Sequence, residues 1–217
     1  MPTVRTARLR DEGRDAGGVG ITFRRLAEAD LPLLHRWLNE PGVVRWWEGD
    51  DVSWEAVVRD YGHPEDSTEH WIASLDGADL GWIQCWPVVE EAACEPWYPL
   101  GVERTAAGID YLVGDPADRG RGFGAAMIRA FVADVVFGLH PAWTQACAAP
   151  YAANQISWKA VRNAGFRLVG TVQDRDGPCS LMVVGRADVA VPDAAERGRE
   201  PAWDSTASSS SSPSPAS

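Results

Sequence analysis

The stretch Asp118–Met127, DRGRGFGAAM, sets Gly120, Gly122 and Gly124 in alternation with Arg119 and Arg121. Glycines at that density admit backbone conformations that a side chain forbids. The run continues into a helical pattern, with Ile128, Phe131, Val132, Val135 and Val136 on one face. A glycine-rich turn that opens a helix presents unpaired N–H groups to an anion, and the helix dipole adds roughly half a positive charge there.

Three ligand classes use such a turn. A nucleoside-triphosphate loop needs Gly-Lys followed by Ser or Thr, and none is present. A dinucleotide fingerprint is matched formally by Gly120, Gly122 and Ala125. It should follow its strand directly and be answered about 20 residues later by an acid; here a loop, Asp115 to Asp118, intervenes, and the later region is the apolar AWTQACAAP. The third pattern, Gln or Arg-x-x-Gly-x-Gly or Ala, is filled by Arg119, Gly122 and Gly124. Its physics is pyrophosphate capture, to which Arg119 and Arg121 can add charge-assisted bonds. A glycine-rich loop without a ligand is the bland alternative.

Around this turn the hydrophobic pattern alternates between strands and helices. ITFRRL reads as a strand and DLPLLHRWLN as a helix capped by Asp30. Ser53 caps WEAVVRDY. Two strands flank Asp76-Gly77, a strong hairpin signal. AGIDYLVG, AWTQACAA, FRLVGTVQ and SLMVVGR are further strands, and NQISWKAVRNAGF is a helix ended by Gly165. The expected fold is α/β, a central mixed sheet flanked by helices. Its unit spans about 20–187, with residues 1–19 a loose arm and 188–217 a disordered Ser/Pro-rich tail.

A net charge of −11 argues against nucleic acid and suits a cationic small molecule. No apolar run approaches the roughly 18 residues that span a bilayer, and no secretion signal opens the chain. Cys85, Cys94, Cys147 and Cys179 form no C-x-x-C pair and have no nearby His at metal-ligand spacing, so reduced thiols and a cytoplasmic location are expected, with no metal. The 11 Trp residues include Trp37, Trp46, Trp47, Trp82, Trp86 and Trp97. Such residues either fill a core or wall a pocket for a cation or sugar ring.

The turn, the strand order and NQISWKAVRNAGF together resemble the GCN5-related N-acetyltransferase (GNAT) superfamily over roughly 20–186. RWLNEPGVVRWWEG, EPWYPLGVERTAAGID and GFRLVGTVQDRDGP are similar to the aminoglycoside 6'-N-acetyltransferase branch. The resemblance implies acetyl transfer from acetyl-CoA to a primary amine. It implies cofactor contacts along Tyr111, Leu112 and Val113, at Arg119, Gly120, Arg121, Gly122, Phe123 and Gly124, and at Asn154. It makes Asp110 the carboxylate that binds and activates the amine. It puts Glu95, Trp46, Trp47, Trp97 and Tyr98 at the acceptor, with Glu90, Glu91 and Glu103 as a possible acidic rim. Many members carry a Tyr on the later helix to protonate the departing sulfur; here that position is Val161. Unaided departure of the thiolate, or donation by Tyr111, Ser157 or Tyr151, are the remaining routes. A siderophore-pathway lysine acyltransferase and a non-catalytic sensor are alternative readings. A monomer or homodimer is compatible with either.

Overall fold

In the computed structural model, residues 4–8, 20–47, 50–63 and 67–191 are described. Eight strands form one sheet: β1 (Val4–Arg8), β2 (Gly20–Arg25), β3 (Glu69–Leu75), β4 (Ala78–Pro87), β5 (Ala106–Val113), β6 (Gln145–Ala148), β7 (Arg167–Asp174) and β8 (Gly177–Gly185). Their order across the sheet is β1-β2-β3-β4-β5-β6-β8-β7. All neighbours are antiparallel except β5 and β6, which are parallel. The helices are α1 (Leu31–Leu38), α2 (Pro41–Val44), α3 (Trp54–Tyr61), α4 (Phe123–Phe131), α5 (Phe137–Leu139) and α6 (Gln155–Asn163).

Strand alternation sorts the side chains of β5 to two faces. Ala107 and Ile109 enter the largest core cluster, which Tyr111 and Val113 flank. That cluster lies under α4 and includes Phe131, whose ring meets Phe23 at 5.2 Å and Trp71 at 6.2 Å, both edge-on. On the opposite face, Leu112 joins a cluster with Leu34, Trp37 and Val57 from α1 and α3. Ala106 joins a third, with Cys94, Cys147 and Leu181. Asp110 falls between Leu112 and Ala106 on that second face.

Several local expectations are met for the anticipated reasons. Asp76 and Gly77 take φ of 50° and 87°, the left-handed pair that a two-residue hairpin needs. The Ser53 side chain accepts from the Ala56 N–H and starts α3. After α4 the chain widens into a π turn, Val132–Val136, which buries all five of its residues. Others are corrected. Asp30 does not cap α1 with its side chain, because Arg24 engages both of its oxygens and the Ala27 N–H takes one as well. Part of the expected loose arm is a strand: Val4–Arg8 pairs with β2. The folded unit also runs past 187, since Val189 and Val191 pack on the main core. The rest of the arm and the tail from 192 lie outside the described residues.

The four cysteines are free and buried. The fold nevertheless brings Glu69 and His140 to Cys85, with ligand-type atoms within 4.8 Å of one another, a meeting that linear spacing hides. Arg25 already pairs with Glu69 at 2.8 Å, so this cluster is an ion-pair junction between β2, β3 and the end of α5. Removing the ring at the centre of the core, Phe131→Ala, is expected to cost about 3–5 kcal/mol. Urea unfolding should show a lower midpoint with an unchanged slope.

Candidate active site

β5 and β6 pair over only three positions, Ala106↔Gln145, Ala107↔Ala146 and Gly108↔Cys147. Beyond them the ladder stops. β6 ends at Ala148, and Pro150 has no N–H to continue a ladder. The chain then follows β8, with Ser180 donating to the Pro150 carbonyl and Ala152 to that of Pro178. Among the described residues, one edge of β5 is therefore without a strand from Ile109 onward.

A cavity of about 760 Å³ opens in this fork. Its two walls are Ile109–Val113 and Ala148–Tyr151, and the first turn of α4 closes one end. Gly120 and Gly122 there have φ of 75° and 89°, which only glycine adopts without strain. Gly122 is the N-cap of α4, carries no side chain to satisfy the first turn and lines the cavity, so this helix start is available to an anion. Gly124 also lines the cavity, and a Cβ there would meet Val113 and Ala160 only at ordinary contact distances of 3.5 and 3.7 Å. Asn154 lines the cavity and caps α6, its Oδ1 accepting from the Ser157 N–H at 3.1 Å.

The two arginines of the turn behave differently from expectation. The Arg119 guanidinium donates to the carbonyls of Val113 (3.0 Å) and Gly114 (2.8 Å) and pairs with Glu40. Glu40 in turn holds the Gly42 N–H and starts α2. Arg119 is thus a brace between the end of β5, the turn and α2. Arg121 pairs with Asp118 at 2.9 Å and lies over the Phe123 ring, and neither Arg121 nor Phe123 lines the cavity. Lys159, the sole lysine of the chain, does line it, along with Asn163. Sequence reasoning passed over both, although their place on the exposed face of a capped helix could have been read from its period.

The other end of the cavity is acidic and aromatic. Asp110 lines it with Asp50, Asp174, Trp46 and Trp47. Across the β4–β5 ladder, Gln84 lies opposite Asp110, Trp82 opposite Leu112 and Trp86 opposite Gly108. Gln84 donates to the Asp110 carboxylate at 3.1 Å. The Trp86 ring covers Gly108 so closely that a Cβ there would come within 2.4 Å of it. Asp110 is exposed along the cavity, while the protein atoms crowded around its carboxylate thin its hydration. That desolvation raises its pKa to about 6, against the Gln84 hydrogen bond and aided by Asp174 and Asp50. The nearby Tyr61 phenol is pushed above its usual range by burial and by Asp110, with Trp47 opposing the rise.

The remaining tryptophans divide. Trp37 and Trp82 are buried core residues. Trp97 and Tyr98 pack against the third cluster, with Arg104 over the Tyr98 ring, and neither lines the cavity. Glu95 is exposed on the 3-10 segment Ala92–Leu100, 3.9 Å from Arg104, and is also absent from the lining. Of the acidic rim, Glu91 caps Ala93 and Glu103 accepts from Thr144. The acceptor residues expected from 90–98 are therefore not brought to Asp110, whereas Asp50, Asp174 and Gln84 are.

The model of the acetyltransferase (GNAT) domain matches residues 27–174. The chain belongs to the GNAT acetyltransferase family. Two curated relatives, the aminoglycoside N(6')-acetyltransferases type 1 of Klebsiella pneumoniae and Serratia marcescens, are each 30% identical over 171 residues, covering 76% of this chain and 83% of the relative. Solved structures of AAC(6')-Ib are similar in fold. Its complexes with paromomycin and acetyl-CoA and with ribostamycin and coenzyme A each give a TM-score of 0.68 at 28% identity, covering 84% of this chain and 99% of that one. This GNAT chain is accordingly an acetyltransferase with acetyl-CoA as donor, and the forked sheet fits that donor. An open strand edge can pair with an amide-bearing arm, and the uncapped α4 terminus can take its pyrophosphate.

The raised acidity constant of Asp110 has a consequence for stability. The folded state binds this proton more tightly than the unfolded chain does, so the group's contribution to stability is complete below about 4 and is lost as pH rises through about 6. Asp110→Asn should therefore unfold at a higher temperature than wild type at pH 8, with the difference vanishing near pH 4 in thermal scans.

Proposed function

We propose that this acetyltransferase acts on the 6'-amine of aminoglycosides, in the cytoplasm, as a monomer or homodimer. The observation that carries the acceptor class is the cavity end where Asp110, Asp50 and Asp174 meet Trp46 and Trp47. Three carboxylates beside flat aromatic faces suit a polycationic, ring-shaped molecule. The named activity of relatives about 30% identical over most of the chain supports the same acceptor. The buried, unpaired thiols are compatible with a reducing compartment.

Transfer requires that the amine lose a proton and that the thioester carbonyl be held while its thiolate leaves. An amine holds its proton with a pKa near 10, so an ordinary carboxylate near ~3.9 is a poor acceptor. At about 6, Asp110 is a better match and is still charged at neutral pH. It orients the ammonium, takes or relays one proton through water, and leaves the nitrogen lone pair free to attack. Gln84 fixes the carboxylate on β5 while this happens. Backbone N–H groups along Ile109–Val113 are available to hold the carbonyl oxygen. Glu95, Trp97 and Tyr98 would contact only the outer parts of a large acceptor.

The test is thiol release from acetyl-CoA with aminoglycosides that carry an amine or a hydroxyl at 6'. Turnover is expected only with the amine, and kcat/KM should fall as pH drops below about 6. Asp110→Asn should lower kcat/KM by about 100-fold or more and abolish that acidic limb. Turnover on lysine derivatives but on no aminoglycoside would overturn the acceptor assignment.

A further inference from the structure

The later-helix position that carries a tyrosine in many GNAT proteins is Val161, and here it is fully buried in the main core. It does not line the cavity. One turn earlier on the same face of α6 stands Ser157, since residues four apart on a helix are neighbours. Its Oγ lies 2.8 Å from the hydroxyl of Tyr111, which reaches across from β5. Both residues line the cavity where β5 and β6 part. The helix cap at Asn154 holds the Ser157 backbone in place.

We propose that Ser157, polarised by Tyr111, is the hydrogen-bond donor to the sulfur of coenzyme A as the thioester breaks. Tyr111 is the positioning residue. Burial pushes its phenol up to about 12, with Asp110 adding to the rise and Ser157 opposing it, so the proton stays on Tyr111 at working pH. The Tyr111 hydroxyl reaches both the Ser157 carbonyl, 3.2 Å away, and Ser157 Oγ; when it donates to Oγ, the serine's own proton is free for the cavity. Tyr151, the other hydroxyl in the wall, is tied to Asp174 at 3.2 Å and sits at the acidic end.

The bond changes balance without a net proton from Ser157. The amine nitrogen forms the new N–C bond with its lone pair, and its surplus proton leaves through Asp110 or water. The C–S bond breaks with its pair on sulfur. The resulting thiolate accepts the Ser157 hydrogen bond and is protonated by water after release, as a thiol of pKa near ~8.5 allows. The inference rests on acetyl transfer from acetyl-CoA and is independent of which amine accepts.

The acceptor-free complex provides the test. The thiolate absorbance of coenzyme A bound to the full chain is titrated with pH in wild type, Ser157→Ala, Ser157→Thr and Tyr111→Phe. The other titratable groups of the cavity, Lys159 on α6, Tyr151 beyond β6, Arg119 and Asp110 around β5, Asp174 on β7 and Arg45 and Asp50 beyond α2, are the same in all four. The bound thiol should titrate below ~8.5 in wild type and in Ser157→Thr, and should rise toward ~8.5 in Ser157→Ala and partly in Tyr111→Phe. In turnover, Ser157→Ala should lose about 10–100-fold in kcat with KM for acetyl-CoA changed less than about twofold. The loss should shrink with an acetyl thioester of a more acidic thiol. An unshifted thiol titration in Ser157→Ala, or a loss confined to KM, would overturn the proposal.

Discussion

The interruption of one strand pairing is the constraint on which the site depends. β5 and β6 are the single parallel pair of the sheet and share three registered positions. Backbone donors and acceptors left without a strand need other partners, because an unmet polar group in a dry site costs free energy. A donor molecule with amides along its length supplies them. The same fork separates the two chemical jobs. Its glycine turn offers an anion site at one end, and its acidic end suits a cation.

Side-chain alternation on β5 then divides the reaction between the two faces of the sheet. Tyr111 points to the face of α4 and α6 and meets Ser157 there. Asp110, its neighbour in sequence, points to the opposite face and meets Gln84. A strand places these adjacent residues on opposite sides with no loop to position them. Asp110 and the Tyr111–Ser157 pair, to which we assign proton acceptance and sulfur stabilisation, are thereby kept apart along one rigid element. The desolvation that raises the pKa of Asp110 works against stability at neutral pH, which is a cost that functional sites commonly carry.

Much of this was legible in the chain because its signals are local. Gly120 and Gly122 announce a left-handed turn, Asp76-Gly77 a hairpin, and Ser53 a helix cap. The features that escaped are set by distance in sequence. Asp30 has the position of a cap, but Arg24 on the preceding strand takes its carboxylate. Arg119 has the position of a phosphate ligand, but Glu40, 79 residues away, claims its guanidinium. Glu95 lies a matching distance before GID, yet the 3-10 segment turns it to Arg104 and solvent. Gln84 could not be paired with Asp110 in advance, because the long β4–β5 connection leaves the register unset. Val161 was visible as a departure and Ser157 was among the candidate donors, but choosing among them required the α6–β5 contact to be seen.

Amide hydrogen exchange with and without coenzyme A tests the central claim most directly. If the fork is the donor site, amides along Ile109–Val113 and from Gly120 to Ala125 will be protected on binding, and those of the β2–β3 pair will not change. Protection elsewhere, with the β5 edge and the α4 terminus unchanged, would contradict it.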